Sequence, residues 1–375
     1  MIFNPGESNA DAGACKPAAS SLFCGVTDAW SCRSRRSVAS GEKGHIMKAI
    51  TYRAFGSAET VLQLEDLPDI APARGELRVE LAYSGVNPSD VKARAGARAG
   101  VSELPYPVIV PHSDGSGVIV EVGEGVDPAR IGEEVWIWNG QWQRPNGTAA
   151  CSITLPADQA VALPAGLTLQ QGAVLGIPGL TAAHTVFSGG DVGGKTVLVQ
   201  GGAGTVGLLA VQLAKWGGAR VVATCSPEDF DRVRRVGADA VLSYAEDDLA
   251  EQILAANGGR PVDHIVEVEF GANCTVDTAV IAPNGRIAAY GSARNMTPNL
   301  PFYPLMFKAV TLEMALVYLL PAEARHNAIE RINAAAAQGA LQPPIAAVFD
   351  LVDTAKAHHA VEAGKRAGAI LVKTG

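Results

Sequence analysis

Residues 196–215 read TVLVQGGAGTVGLLAVQLAK. The opening run TVLVQ suits a strand buried on both faces, and Val206, Leu209, Ala210 and Leu213 then recur at helical spacing. At the join, Gly202, Gly204 and Gly207 spell G-x-G-x-x-G, with Ala203, Thr205 and Val206 between and beside them. In a strand-to-helix turn the first glycine permits the tight bend, the second lets a pyrophosphate approach the backbone, and the third lets helix and strand pack closely. Unpaired amides and the positive dipole end of the helix then favour an anion. A merely tight turn would use the same glycines. The position between strand and helix, with another strand one unit on, predicts a dinucleotide site instead.

Downstream the same texture continues: RVVATC, a helix over PEDFDRVRRVG, AVLSY, a helix to Asn257, HIVEVE, RIAAYGS and VTLEMALVY. Strands alternating with helices predict a parallel, doubly wound sheet over residues 171–320. Residues 47–170 differ, with short runs LRVELAYSGV (77–86), SGVIVEVG (116–123) and EEVWIW (133–138) between Gly, Pro and Asp clusters, which predict a small β-barrel. Residues 321–375 supply one or two Ala-rich helices and a closing strand, GAILVKT, that returns to the barrel. The expected class is α/β, a barrel domain joined to a doubly wound domain. Residues 1–46 lack apolar periodicity and carry Arg33, Arg35 and Arg36 shortly before Met47, where MKAITYRAFG reads like a fresh start. They are expected to be a disordered leader or an extension from an upstream start; Glu7, Asp11, Asp28 and Glu42 argue against a transit peptide.

Composition narrows the function. A net charge of −8 over 375 residues gives no support to a nucleic-acid surface. Residues 159–190 hold no Asp, Glu, Lys or Arg, yet Pro164, Pro178 and repeated glycines would break a membrane helix, so a pocket wall or domain junction is expected. Six cysteines without a C-x-x-C pair fit a reducing cytoplasm better than a disulfide framework or zinc lobe.

The second strand of the doubly wound unit bears on the nucleotide. NAD binders usually end it with a carboxylate for the ribose 2′-hydroxyl, whereas this one ends Ala223, Thr224, Cys225, Ser226. Ser226 could donate to a 2′-phosphate, and Tyr244, closing the next strand, could stack near the adenine. The expected cofactor is NADPH, with NADH as the alternative.

The stretches SGVNPSDVKARAG (84–96), PYPVIVPHSDGSGVIVEVG (105–123), GAVLGIPGLTAAHTVF (172–187), QGGAGTVG (200–207), VGADAVLSY (236–244) and PNGRIAAYGS (283–292) together resemble the medium-chain dehydrogenase/reductases, and among them the zinc-free quinone oxidoreductases related to zeta-crystallin. The resemblance runs in order through residues 47–375. It implies a GroES-like barrel interrupted by the Rossmann domain, with the nicotinamide in the cleft between them. It also implies that Asn87 and Ser113 stand where the zinc alcohol dehydrogenases place two metal ligands, and neither is a plausible zinc ligand. No metal site is therefore expected, and His112 reads as a turn or packing residue.

Without zinc, the acceptor must bring its own electrophilicity, as a quinone or conjugated ketone does, and the protein's task becomes positioning. Asn87 is the first candidate for a group at the substrate carbonyl, with a turn-shaping role before Pro88 as the alternative. Asp90 reads first as a helix cap, and Tyr106 is the first tyrosine after the loop where relatives often carry one. The resemblance places Thr181 near the nicotinamide amide, and Gly291, Ser292, Val317 and Tyr318 around the nicotinamide half. Asp229 falls where NADPH-preferring relatives often carry lysine; Arg232, Lys365 or Arg366 could compensate, although Arg232 also reads as part of an exposed charged face. His358 and His359 are expected to face solvent, His184 and His264 to be structural. The expected function is reduction of a quinone or related conjugated carbonyl. An enone or enoyl reductase, or a low-turnover nucleotide-binding structural or RNA-associated protein, remain alternatives. The resemblance further implies a homodimer, for which the apolar run VTLEMALVYLL (310–320) would suit an edge.

Overall fold

In the computed structural model, which describes residues 46–98 and 100–375, the chain opens on an antiparallel pair, β1 (Ile46–Thr51) and β2 (Gln63–Pro68). Of the leader read over residues 1–46, residues 1–45 lie outside the described residues, and Ile46 already belongs to β1. Next come β3 (Glu76–Val86), β4 (Asp114–Val122), β5 (Glu134–Ile137), β6 (Ser152–Pro156) and β7 (Ala160–Ala162), which form an antiparallel barrel wall. Alternation drives it: Leu77, Val79 and Leu81 of β3 point inward onto Ile119, Ile137 and Leu155, all buried.

Six strands then run parallel: β8 (Thr196–Val199), β9 (Arg220–Cys225), β10 (Ala240–Ser243), β11 (Val262–Glu267), β12 (Ile281–Ala289) and β13 (Thr311–Met314). Their order is β10-β9-β8-β11-β12-β13, so the direction of winding reverses between β8 and β11. In open α/β sheets that switch point, at the carboxyl ends, is where ligands bind. All four residues of β8 are buried, as a strand covered on both faces requires.

The tail departs from the expectation that it belongs wholly to the barrel. Its helix Ala322–Ala337 packs Ala328, Ile332 and Ala335 in one core with Leu180, Ala183 and Val186 of the helix Leu180–Phe187. Only with β14 (Ile345–Asp350) and β15 (Ala369–Lys373) does the chain return, β15 pairing antiparallel with β3. A second departure is β13, which stops at Met314, leaving Val317 and Tyr318 in a 3-10 turn, Val317–Leu319. Among the described residues this is an edge strand with β12 as its sole neighbour. After Ala315 donates to the Ala289 carbonyl at 2.8 Å, the chain leaves the sheet toward the barrel.

The uncharged stretch 159–190 supplies β7, the short helix Leu169–Gly172, a π-helical turn at Leu175–Gly179 containing Pro178, and the helix Leu180–Phe187. Among the described residues no helix is long and apolar enough to cross a membrane.

Candidate functional site

The turn from β8 into the helix Thr205–Trp216 is built as a cradle. Gly201, just before the motif, carries the left-handed conformation at φ 68°, so the tight bend belongs to it and not to Gly202. A Cβ at Gly207 would collide with the Gly201 carbonyl oxygen, which is why helix and loop can close up there. A Cβ at Gly204 would meet nothing nearer than 3.5 Å, so this backbone faces open space. The amides of Ala203, Thr205 and Val206 make no backbone hydrogen bond among the described residues. Unspent donors at a helix start beside an exposed, side-chain-free backbone fit a pyrophosphate.

At the ends of the next two strands the Ser226 hydroxyl lies 2.7 Å from the Tyr244 phenol, whose residue is half exposed. Beside them Arg232 pairs with Asp229 at 2.9 Å and donates to the Ala203 carbonyl at 3.3 Å. Arg232 is thus drawn over the glycine loop rather than into an exposed charged face. The reason is local: an i,i+3 carboxylate and a loop carbonyl both lie within its reach. Arg366 donates to the Val361 carbonyl at 3.2 Å, and no hydrogen bond among the described residues joins it to the glycine loop.

On the other side of the switch point, a cavity of about 300 Å³ opens at the ends of β12 and β13, lined by Tyr290, Gly291, Ser292, Met296 and Met314 among others. Ser292 accepts from the Gly271 amide at 2.8 Å and donates to the Asn295 carbonyl at 2.5 Å, which fixes the loop floor. Val317 is buried nearby in the interdomain core.

The third group sits where the helix Pro88–Arg94 begins. Asn87 is its N-cap and gives its backbone amide to the Asp90 carboxylate at 2.8 Å, so Asp90 does cap, as its position predicts. The Asn87 side-chain amide donates to Asp114 at 2.7 Å, and Asp114 also accepts the Ile177 amide at 2.7 Å. Asp114 therefore ties the barrel to the turn that leads into Thr181. Thr181 is buried, its carbonyl accepts from Thr185 at 2.7 Å, and its own hydroxyl makes no hydrogen bond among the described residues. Tyr318 reaches across to Ser89, hydroxyl to hydroxyl at 3.0 Å, and stacks on Trp142 with ring centroids 4.6 Å apart. Asn87, Asp90 and Tyr318 are thus gathered at the start of this helix, whereas no hydrogen bond or ring contact among the described residues joins Thr181 or half-buried Tyr106 to them.

Sequence reading missed Asp114, Trp142 and Ser89. A carboxylate following Ser113 directly was the one available signal for Asp114; nothing local announces a stacking partner 176 positions before Tyr318. It also misplaced His358. That residue is fully buried, its Nε2 2.8 Å from Nε2 of His112, with the rings stacked 5.1 Å apart. The helix Thr354–Glu362 presses one face on the barrel, and neighbouring positions 358 and 359 point about 100° apart, so only His359 stays at the surface. His112 continues the chain of bonds to Ser84 at 2.9 Å, and Ser84 to Thr148 at 2.8 Å.

Burial dominates the electrostatics. It pushes the Asp90 carboxyl up to about 7 and Asp114 well above the usual carboxylate range, the charge of Asp90 adding to the latter. Burial likewise holds His112 well below its ordinary value and His358 at about 3, so both rings are neutral and one Nε2 donates to the other. Among the described residues no group of three or more His, Cys, Asp or Glu side chains is arranged to hold a metal ion.

Residues 73–192 match the family Alcohol dehydrogenase GroES-like domain, and residues 205–334 the family Zinc-binding dehydrogenase. A quinone oxidoreductase of Rattus norvegicus is 28% identical over 340 residues, 89% of this chain and 100% of the relative. One of Mus musculus is 31% identical over 259 residues, 68% of this chain and 75% of the relative. Among solved structures, a mycobacterial protein complexed with NADPH superposes with a TM-score of 0.75 at 27% identity, covering 87% of this chain and 99% of that one.

Proposed function

Because the chain belongs to the quinone oxidoreductases of the medium-chain dehydrogenase/reductase superfamily, and is accordingly an NAD(P)-dependent oxidoreductase, we propose that it is a zinc-independent reductase of a quinone or similar conjugated carbonyl. NADPH, when bound, supplies the hydride from C4 of its nicotinamide. The observation that carries the reading is the juxtaposition of an open glycine cradle with the Asn87–Asp114–Ile177 tie.

The chain's own residues do the positioning. Amides of Ala203, Thr205 and Val206 hold the pyrophosphate, and Ser226, Tyr244 and Arg232 surround the place for a 2′-phosphate. Arg232 cancels the Asp229 charge that would otherwise repel that phosphate. One Asn87 N–H is spent on Asp114, which orients the amide; its second N–H is left to donate to an acceptor oxygen as negative charge develops there. Thr181, four residues beyond Ile177, brings an unspent hydroxyl toward the same turn in this reading. Trp142 and Tyr318 offer a flat aromatic wall, which suits a planar conjugated acceptor.

The proposed assembly is a homodimer. Edge strand β13 exposes Met314, and Leu316, Leu319, Phe307 and Tyr303 nearby are exposed too, an apolar patch beside unpaired strand backbone. The proposed setting is the cytoplasm.

The test is to titrate NADPH and NADH by cofactor fluorescence and then follow cofactor consumption with a para-quinone and a simple enone. Faster turnover of the quinone supports the proposal. Enone turnover without quinone turnover points to the enone reductase, and binding without consumption of either points to a low-turnover binding protein.

A further inference from the structure

Beneath the glycine loop lies a polar chain that the proposed chemistry does not use. The Gly201 amide donates to the Thr224 hydroxyl at 3.2 Å, and that hydroxyl donates to Gln200 Oε1 at 2.6 Å. Gln200 Nε2 donates to Asp277 Oδ1 at 3.0 Å. Asp277, on the helix Phe270–Val280, faces the Glu267 carboxyl at the end of β11, and its Oδ2 is buried without a donor among the described residues. Gln200, Glu267 and Asp277 are fully buried. From Glu267 the chain runs on: its carboxylate accepts the Glu269 amide, and the Glu269 carboxylate accepts the amides of Ala293 at 3.0 Å and Arg294 at 2.6 Å. One end of the chain therefore holds the pyrophosphate turn, the other the loop beside Gly291 and Ser292.

The middle link requires a proton. Asp277 Oδ2 has no N–H or hydroxyl aimed at it, and two ionised carboxylates cannot bond each other. Asn273 Nδ2 donates to both Glu267 oxygens, at 3.1 and 3.2 Å, which favours the charge on Glu267 and the proton on Asp277. The other titratable groups facing the pair are Glu269, Cys274 and Tyr290, none of which brings positive charge. Burial of both carboxyls raises them further above their ordinary range.

We propose that Glu267 and Asp277 share a single proton and, as one hydrogen-bonded unit, hold the Gly201–Gly204 turn and the Gly291–Asn295 loop in register for the two ends of a dinucleotide. This rests on the nucleotide-binding reading above. Both are positioning residues, acting through the loops they tie.

Two measurements test it. In infrared spectra of the protein without nucleotide, the wild type shows the C=O stretch of a buried protonated carboxylic acid that Asp277→Asn lacks; identical spectra would overturn the shared proton. In binding titrations, Asp277→Ala weakens NADPH by about tenfold or more, the size of one ordinary hydrogen-bond coupling. The same variant leaves adenosine 2′,5′-bisphosphate, which spans one end only, within about twofold of wild type. Asp277→Asn keeps both bonds without a proton to lose and restores NADPH binding. Equal losses for both ligands, or no loss for either, would overturn the proposal. Should Asp277→Ala not fold, Gln200→Met cuts the same chain one bond further along, with the same expected pattern. If wild type binds neither ligand, the nucleotide reading itself fails, while the infrared result still decides whether the proton is shared.

Discussion

The Asn87 side-chain amide stands 2.7 Å from the Asp114 carboxylate, and Asp114 in turn holds the Ile177 amide of the π-helical turn Leu175–Gly179 at 2.7 Å. One carboxylate thus orients the candidate donor and fixes the turn that leads into Thr181. Replacing Asn87 with alanine leaves buried Asp114 short of a donor, a loss of about 1–3 kcal/mol for a buried acceptor left unsatisfied. The expected result is kcat/KM for the quinone lowered about ten- to a hundredfold, with the NADPH Kd little changed. Unchanged kcat/KM would remove Asn87 from the acceptor site.

Gly204 and Gly207 separate binding from folding. Gly204→Ala meets no close neighbour and its backbone is extended, so thermal stability is expected to stay within about 1 °C, while a methyl facing the pyrophosphate weakens NADPH about tenfold or more. Gly207→Ala drives a methyl into the Gly201 carbonyl and lowers Tm as well. Calorimetry beside fluorescence titration checks both, and full NADPH affinity in Gly204→Ala would place the pyrophosphate elsewhere.

The proposed nucleotide preference rests on the Arg232–Asp229 pair. Asp229→Asn frees Arg232 from its 2.9 Å partner and removes a carboxylate from the neighbourhood of a 2′-phosphate. The NADPH-to-NADH affinity ratio is expected to rise several-fold. Arg232→Ala, which leaves Asp229 uncompensated, is expected to lower it about tenfold. A ratio unmoved by either change would move the 2′-phosphate site away from this helix.

The buried imidazoles make stability depend on pH. His358 is held at about 3 against an ordinary 6.5, so below 6.5 the unfolded chain binds a proton that the folded one does not. Stability from this group is complete above pH 6.5 and is lost as pH falls toward 3, at about 1.4 kcal/mol per pH unit. His112 shifts the same way. Asp90, raised by burial to about 7, works in the opposite sense and costs stability as pH rises from about 4 to 7, and Asp114 is shifted in the same direction. Urea unfolding of wild type and His358→Gln from pH 7.5 to 4.5 isolates the imidazole; a shallower acid loss in the variant is expected, and equal slopes would place a charged His358 in the folded state.

Much of the architecture was legible in local pattern. The β-branched run into G-x-G-x-x-G announces a strand, a tight glycine turn and a helix because strand period, helix period and glycine placement all lie within twenty residues, and β8 with its helix forms there. The alternating inward residues of β3 announce the barrel for the same reason. Asp90 as a cap was readable because a cap acts across three residues.

What the chain alone left open depends on partners remote in sequence. Arg232 looks like a surface charge until folding brings the Ala203 carbonyl to it, and His358 looks exposed until His112 arrives from 246 positions away. The pairing of Glu267 with Asp277 is of this kind too: nothing in either segment requires a shared proton until burial removes water from both. Periodicity and turn chemistry are short-range and written into the sequence. Hydrogen-bond partners, protonation states and the meeting of the two cofactor loops are set by desolvation and proximity, which only the tertiary structure decides.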